Sequence, residues 1–493
     1  MDCRSVIKNL EERPALICVA SIFLAMLAIR APFIFYIGMS TDAYNNGSAL
    51  PPYEFLAGQG RHGAYVLMKL MSGLGIYGPY FQPLNVLLGI SALSAAAFYL
   101  FRSVLGNAWA LILIGSLLFL SHPYQAEIFT FRDAVPFYAT ATLLGCTGYY
   151  IAGQGTRKSV AMGLLLIVAG LTIYQSFLNF LAIAWLLQLL LAVVAPRSGT
   201  TTTAQRRKLA IQLATVAISV LAYMMATKLL NLALGTAATG RATFITWEEA
   251  PKRVIEVLGV IKQFLHVDLI SPAPLTSLLI AGLVLATSFV ILLKGSSTWR
   301  FALVPAIGIL TLISSVGIIS VGRDFWPMPR TLVAIALIPA FAACIIPLII
   351  TSPIANRLVT ASSAIILISF MGIGNLVATE QVRMNKRDAL FAASLVARIP
   401  LTPGTHLAII GGPNNAFGLS TVRGDMNISA YWPLWSKTKA ISEFIGYPVL
   451  PPDEQELTRS QEYCASPLAG SWPATNSSAE LDDGLVVVCL SRP

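Results

Sequence analysis

Charged residues are scarce in this sequence, and their scarcity excludes a protein that is soluble throughout. Asp, Glu, Lys and Arg make up 11% of the 493 residues, against roughly 25% in a typical soluble domain. Apolar residues make up 56% and form continuous runs of about 20 residues, the length that spans a bilayer. Transmembrane β-barrels show short alternating segments instead. The sequence therefore predicts an all-α polytopic membrane protein.

Cysteine and histidine patterns typical of metal sites are also lacking. The six cysteines include no CxxC pair or Cys/His zinc spacing, and the four histidines are scattered, so no metal site is predicted. A divalent metal ion held by Asp42 and a second acid remains an open alternative. Cys464 and Cys489 lie in the polar C-terminal region and can form a disulfide if that region is extracytoplasmic.

Eleven apolar segments are predicted to cross the membrane. Their approximate bounds are 15–37, 82–101, 107–121, 134–152, 159–173, 175–195, 209–232, 274–293, 301–320, 331–351 and 358–378. The basic N-terminus and first apolar run lack a clear cleavage site, so we expect an uncleaved first helix. Residues 64–80 form a short stretch with Lys69 and three glycines. We expect an interfacial or re-entrant helix there rather than a span.

The basic residues give the chain an orientation. With a cytoplasmic N-terminus and eleven spans, every inner loop contains Lys or Arg and none contains Asp or Glu, which is the positive-inside pattern. We attribute the net charge of +10 to this topology, and nucleic-acid binding is not expected. The acids of the spanning region fall in the outer loops, which are 38–81, 122–133, 233–273 and 321–330.

The composition changes near residue 380. Residues 379–400 have the period of an amphipathic helix, whereas "THLAIIGG" (405–412) and "GLVVVCL" (484–490) predict short buried strands. The sequence thus predicts a transmembrane domain over 1–379 and a small α/β domain over 380–493. Eleven spans place this C-terminal domain outside the cytoplasm.

The first outer loop contains the candidate catalytic residue, Asp42. It lies in "GMSTDAYNNG" (38–47), just beyond the first apolar segment, so its carboxylate is expected near the depth of a lipid headgroup. A carboxylate can accept a proton from a sugar hydroxyl that attacks an anomeric carbon. The alternative is an ordinary solvated acid in a polar loop.

Arginines at the outer ends of the apolar segments are candidates for binding an anionic substrate. Arg binds phosphate with a planar fork, although snorkelling with local ion pairs explains the same pattern. Arg30, inside the first segment, could either snorkel outwards or face the site. The predicted phosphate- or substrate-binding residues are Arg61, His62, Arg132, Asp133, Gln175, Arg323, Asp324 and Arg330.

Short blocks of the sequence resemble the Gtr type II family of O-antigen glucosyltransferases, the serotype-converting enzymes of bacteria and phages. They are "STDAYNNG", "GQGRHGAYVLMKLMSGLG", "EIFTFRDAVPFYATATLL", "LTIYQSFLNFLAIAWLLQLL", "PRTLVAIALIPAF" and "MNKRDALFAASLVARI", between about residues 35 and 410. The resemblance implies an integral-membrane glycosyltransferase with a GT-C-like plan. It implies transfer of glucose from undecaprenyl-phosphate-glucose to a lipid-linked O-antigen on the periplasmic side of a bacterial inner membrane. It also implies two partners, a flippase and a second transferase that loads the lipid.

The resemblance also bears on individual residues. Asp42 corresponds to the family's first-loop acid, but Thr41 stands where relatives often have a second acid, so a carboxylate pair is not implied. The block "GQGRHGAY" supports Arg61, and "FRDAVPF" supports Arg132 and Asp133. An O-antigen polymerase or ligase remains an alternative. A lipid-sugar transporter is disfavoured because the middle parts of the spans contain almost no charge.

Overall fold

The computed structural model describes residues 14–46, 50–78, 81–194, 202–239, 243–263, 270–271, 273–293, 298–413, 428–481 and 484–491. The basic N-terminal residues used to orient the chain lie outside these ranges. The described chain is mainly α-helical, with one small sheet near its C-terminal end.

The first half of the chain contains both long and short helices. They are α1 (Pro14–Phe35), α2 (Thr41–Asn46), α3 (Tyr53–Ala57), α4 (His62–Gly73), α5 (Gln82–Leu105), α6 (Trp109–Ser121), α7 (Pro123–Thr130), α8 (Val135–Ala152), α9 (Arg157–Ile173), α10 (Leu178–Val194) and α11 (Thr202–Leu234). A 3₁₀ turn, Gln175–Phe177, leads directly into α10. Each of the first seven predicted spans therefore contains a helix.

The second half continues with helices and ends in the sheet. The elements are α12 (Ala250–Gln263), α13 (Pro274–Leu293), α14 (Thr298–Val316), α15 (Leu337–Ile349), α16 (Pro353–Arg398), β1 (His406–Ile410), α17 (Leu434–Ile445), α18 (Glu454–Ala465), β2 (Ser478–Leu481) and β3 (Leu485–Cys489). Helix α12 lies within the loop predicted over 233–273.

Seven described helices are long and apolar enough to cross a membrane. They are α1, α5, α10 with its 3₁₀ turn, α11, α13, α14 with the 3₁₀ turn that follows it, and α16. The pair α6 and α7 passes the same criteria together but is bent by 55°, as in a broken span or a re-entrant loop. The protein is thus a polytopic helical membrane protein, and within the described residues seven or eight of the eleven predicted spans meet these criteria.

Close packing of small residues joins α8 to α9. A Cβ on Gly163 would lie 2.7 Å from the carbonyl oxygen of Gly148, and a Cβ on Gly148 would lie 2.8 Å from that of Gly163. Helices inside a membrane commonly associate through such small residues, because they let the backbones approach. The hairpin turns at Gly155, which has a φ of 74° that glycine adopts without strain.

The break between α6 and α7 buries a segment that the sequence predicts as outer loop. Pro123 follows His122, and a residue before proline is extended, so α6 ends there. All eight residues of α7 are buried, although they fall within the loop predicted over 122–133. Arg30 Nη2 donates to the carbonyl oxygens of Leu120 (2.7 Å) and His122 (3.4 Å). This cation at a helix C-terminus is favourable, and it places Arg30 in the protein interior.

Helix α16 connects the membrane region to the C-terminal region without a break. It spans 46 residues and therefore passes through the predicted domain boundary at residue 380. Ser352 caps its start by accepting a hydrogen bond from the Ala355 backbone N–H. The amphipathic stretch predicted over 379–400 forms the C-terminal part of this same helix.

The C-terminal sheet has the order β1-β3-β2. Strands β1 and β3, both predicted from the sequence, pair in parallel, and β2 pairs antiparallel with β3. One face packs Leu407, Ile409 and Val486 into a core with α16 and α17. On the other face, a disulfide joins Cys464 of α18 to Cys489 of β3, the pairing suggested by the sequence.

Candidate functional site

Asp42 lies at the start of the short helix α2. It occupies the first helical turn, where the helix dipole favours an acid, and its side chain is exposed. Ser40 precedes the helix, and its Oγ accepts a hydrogen bond from the Ala43 N–H at 3.1 Å, as helix-capping serines do. The sequence thus presents the Asp42 carboxylate to solvent on a capped turn.

Two side-chain amides hold the backbone that leads into this turn. Gln82 Oε1 accepts from the Gly38 N–H at 3.0 Å, and its Nε2 donates to the Gly38 carbonyl at 2.9 Å. Asn385, on α16, makes the same paired contact with Met39, at 2.8 and 2.9 Å. An amide carries both a donor and an acceptor, so each side chain pairs both backbone groups of one residue.

Arg132 holds the same segment from inside the protein. It is 1% exposed, and its Nη1 donates to the Gly38 carbonyl and to Gln381 Oε1, both at 2.7 Å. Its Nε donates to the Phe33 carbonyl at 3.2 Å. A Cβ at Gly38 would overlap Nη1, so a larger residue there would displace the guanidinium from these partners. Among the described residues, Nη2 has no hydrogen-bond partner.

The C-terminal region also packs against the Asp42 turn. Helix α2 contacts α17, and Tyr44 packs against the core formed by α16, α17 and the sheet. Burial raises the pKa of the Tyr44 phenol, with smaller contributions from the Asp388 and Glu443 carboxylates. The first outer loop and the C-terminal region therefore lie on the same side of the membrane region.

We expect Asn385→Ala to lower any activity that depends on Asp42 by about tenfold, because losing two partly buried hydrogen bonds of about 1 kcal/mol each would free the turn. Measured kcat in native membranes tests this expectation. Lys386→Ala is the matched control, since Lys386 is the exposed neighbour on α16 and should retain full activity. Equal activity of both variants would show that this contact does not position the turn.

A buried carboxylate fastens α16 to the start of α17. Asp388 Oδ1 accepts from the Ser429 hydroxyl at 2.6 Å, and Oδ2 accepts from the Ala430 N–H at 2.8 Å. Burial raises the pKa of Asp388 to about 6, although these hydrogen bonds and Arg387 oppose the shift. The folded protein therefore holds this proton at a pH at which the unfolded chain, with an ordinary pKa of about 3.9, releases it.

This pKa difference predicts a pH dependence of stability. The stabilisation is complete below about pH 4 and is lost as the pH rises through about 6. Asp388→Asn, whose amide can accept from the Ala430 N–H and donate to the Ser429 oxygen, should remove this dependence. As the pH rises from about 4 to about 6, we expect the melting temperature of the wild type to decrease relative to that of Asp388→Asn. Parallel pH profiles for the two proteins would contradict the assignment.

Three of the predicted substrate-binding residues, Arg61, His62 and Gln175, come together around a glycine turn. Gln175 Nε2 donates to Tyr223 Oη at 2.7 Å, and Tyr223 Oη donates to the carbonyl oxygen of Gly60 at 3.1 Å. Gly60 has a φ of 72°, the left-handed conformation that glycine supplies. We call this group the Arg61 cluster.

Aromatic rings complete the Arg61 cluster. The Arg61 guanidinium lies 4.7 Å from the Tyr174 ring centroid, within cation–π range. His62 Nδ1 is hydrogen-bonded to Tyr53 Oη at 2.7 Å. His62 Nε2 is buried and has no hydrogen-bond partner among the described residues. The cluster thus combines a cation with ring surfaces and an unused polar atom.

Arg330 pairs with an acid that sequence reasoning missed. Glu127 of α7 is fully buried. Its Oε2 accepts from the Arg330 backbone N–H at 2.6 Å, and its Oε1 lies 3.5 Å from Arg330 Nη1. The guanidinium also lies 4.3 Å from the Phe131 ring centroid. The only sequence signal for Glu127 was an acid within an apolar block.

Arg323 and Asp324 are exposed in a different cluster. The Arg323 N–H donates to the Thr243 carbonyl at 2.9 Å, and Arg253 of α12 donates to the carbonyls of Gly322 at 2.5 Å and Arg323 at 3.1 Å. Arg253, which the sequence analysis did not select, thereby fastens helix α12 to this loop.

Asp133 lies close enough to Tyr77, in the loop predicted over 38–81, to affect its pKa. It is partly buried. Burial of the Tyr77 phenol raises the pKa of Tyr77 to about 12, and the negative charge of Asp133 makes a smaller contribution. Within the described ranges, no three His, Cys, Asp or Glu side chains are grouped closely enough to hold a metal ion.

Long apolar helices, with arginine, amide and acidic groups collected at the loops that join them, define a polytopic membrane protein with polar clusters at its helix ends. The family model described as Glucosyl transferase GtrII matches residues 39–347, more than half of the chain. The chain belongs to this family, as its sequence resemblance predicted, and is a membrane glycosyltransferase. No curated protein matches the sequence.

The matched range contains Asp42 and every predicted substrate-binding residue. It ends before α16 and the C-terminal region. The match favours glucosyl transfer over the polymerase, ligase and transporter alternatives.

Proposed function

We propose that the protein transfers glucose from a polyprenyl-phosphate-linked donor to O-antigen or lipopolysaccharide on the periplasmic side of a bacterial inner membrane. The family match over residues 39–347 is the observation that carries this proposal. The match begins three residues before Asp42, in the turn that Gln82, Arg132 and Asn385 hold in place.

The proposed topology has eleven spans, with the N-terminus in the cytoplasm. The transmembrane domain covers 1–379 and the C-terminal domain, 380–493, is periplasmic. Contact between α2 and α17 requires an even number of crossings between them, and the ten spans proposed after the first satisfy this requirement. The Cys464–Cys489 disulfide also favours an oxidising compartment.

Asp42 acts as the base in the proposed reaction. Its carboxylate accepts the proton of an acceptor hydroxyl as that oxygen forms a bond to the anomeric carbon of glucose. The bond between this carbon and the donor phosphate oxygen breaks, and polyprenyl phosphate leaves as the anion. An exposed carboxylate on a capped turn suits this role, because both substrates must reach it.

Arginines bind the phosphate of the donor. Arg61, with His62 and Gln175, forms the most concentrated group available, and Arg330 presents a second guanidinium held by Glu127. Arg323 and Asp324 are exposed and Asp133 is partly buried. In this scheme they contribute charge on the side of the membrane that binds the donor. Arg132 is a positioning residue in this scheme, because its hydrogen bonds go to the segment that carries Asp42.

The lipid carrier explains why such an enzyme is embedded in the membrane. The donor phosphate lies at the bilayer interface, where arginine can bind it, while the polyprenyl chain lies among apolar helices. A flippase and a transferase that loads the lipid would supply the donor on this side.

The purified protein, incubated with labelled polyprenyl-phosphate-glucose and an O-antigen acceptor, should transfer label to the acceptor. The structure of lipopolysaccharide with and without the gene should differ by one glucose substituent. No transfer in the assay, together with a changed distribution of O-antigen chain lengths in the deletion strain, would contradict the proposal and favour a polymerase or ligase.

A further inference from the structure

A cavity of about 320 Å³ lies in the C-terminal region, outside the range matched by the family. It opens where β1 ends at Ile410 and continues into Gly411 and Gly412. In α/β folds, ligands bind beyond the carboxyl ends of parallel strands, and β1 pairs in parallel with β3. The volume is at the lower end of the about 300–1,000 Å³ typical of small-molecule sites.

A buried lysine forms the polar wall of this cavity. Lys437 of α17 is 5% exposed, and its Nζ donates to the carbonyl oxygens of Ile409 at 2.9 Å and Gly411 at 2.5 Å. An ammonium group has three N–H donors, and two of them are used by these carbonyls among the described residues. Burial lowers the pKa of Lys437 to about 8, which leaves the group mainly protonated at pH 7.

An aromatic ring and an amide also line the cavity. The Trp432 indole packs on Gly412, where a Cβ would overlap it, yet the residue is 51% exposed. Gln461 of α18 is exposed at the cavity and has both a donor and an acceptor. The site therefore offers a flat apolar surface beside groups that can bind hydroxyls.

This combination fits a neutral sugar better than an anion. The apolar C–H face of a pyranose can lie against an indole, while its hydroxyls accept from an ammonium group and exchange hydrogen bonds with an amide. An anion would meet the two carbonyl oxygens that already surround Lys437, and these repel negative charge.

One helix connects the cavity to the helix that carries Asp42. Helix α17 carries Lys437 at the cavity and also contacts α2, which carries Asp42. We propose that this cavity binds a neutral sugar of the acceptor glycan next to the sugar that receives glucose, an inference that rests on the proposed function.

Binding measured without donor tests the cavity separately from catalysis. The probe is O-polysaccharide released by mild acid from the lipopolysaccharide of the bacterium that carries the gene. It is titrated into the full-length protein in detergent. Trp432→Ala should weaken binding by about tenfold, or about 1.4 kcal/mol, and Gln461→Ala should weaken it to a smaller extent. In transfer assays, Trp432→Ala should raise the acceptor KM and leave the donor KM unchanged.

Trp435→Ala is the matched control, because Trp435 belongs to the same segment and is 57% exposed but does not line the cavity. It should bind the polysaccharide as the wild type does. Wild-type binding by Trp432→Ala, or equal weakening by both variants, would overturn the proposal. Absence of glucose transfer by the wild type would contradict the proposed function instead.

Discussion

Asp42→Asn should lower glucose transfer by at least about 100-fold, the usual contribution of a general base. The substitution keeps the size and shape of the side chain and removes the proton acceptor. Ser40, Gln82, Arg132 and Asn385 make hydrogen bonds that hold the turn. Because asparagine also keeps the shape of the side chain, we expect the variant to fold normally. Transfer is measured in membranes with saturating polyprenyl-phosphate-glucose, and folding by the melting temperature in detergent.

Glu54→Gln is the matched control for Asp42→Asn. Glu54 is another exposed acid of the same outer loop, and its neutralisation should leave transfer within about twofold of the wild type, as expected for a group outside the proton-transfer step. Full activity of folded Asp42→Asn would remove Asp42 from the mechanism. Equal losses in the two variants would indicate a general charge effect.

Glu127→Ala should destabilise the protein by about 3–5 kcal/mol, the usual cost of removing one partner from a buried ion pair. Glu127 is fully buried and binds both the backbone and the guanidinium of Arg330. Its loss leaves Arg330, itself only 19% exposed at the side chain, without this carboxylate. Unfolding by a denaturing detergent measures the change.

A double-mutant cycle isolates the interaction between these two residues. Glu127→Ala combined with Arg330→Ala should cost less than the sum of the single changes, because neither charge is then left without the other. Lys252→Ala is the control: Lys252 is 83% exposed and 4.0 Å from Glu256, so the change should stay within about 0.5 kcal/mol. If Glu127→Ala were as stable as the wild type, the ion pair would not be stabilising the contact between α7 and the segment that contains Arg330.

The positions of most helices could be predicted because apolar runs are long and their ends are marked. The span predicted over 274–293 is α13 with the same bounds. The boundary at residue 380 shows the limit of such reasoning. Composition changes there, but no Gly or Pro occurs between Gly374 and Pro400 to end a helix, and α16 continues to Arg398.

The roles of individual arginines could not be separated from sequence. Arg132 bonds to Gly38 and Gln381, which lie 94 and 249 residues away, and Arg330 meets Glu127 across 203 residues. Local sequence identifies an arginine near a helix end. Only the tertiary fold shows that Arg132 donates to backbone and amide groups inside the protein, whereas the Arg61 guanidinium lies over the Tyr174 ring.

Sidedness is best tested by labelling single cysteines with a membrane-impermeant maleimide. Glu54→Cys reports on the loop that carries Asp42, and Lys158→Cys reports on a predicted inner loop; both native residues are exposed. In cells whose inner membrane is intact, Glu54→Cys should be labelled and Lys158→Cys protected. The reverse pattern would place the Asp42 loop in the cytoplasm, and the enzyme could not then use a periplasmic lipid-linked donor.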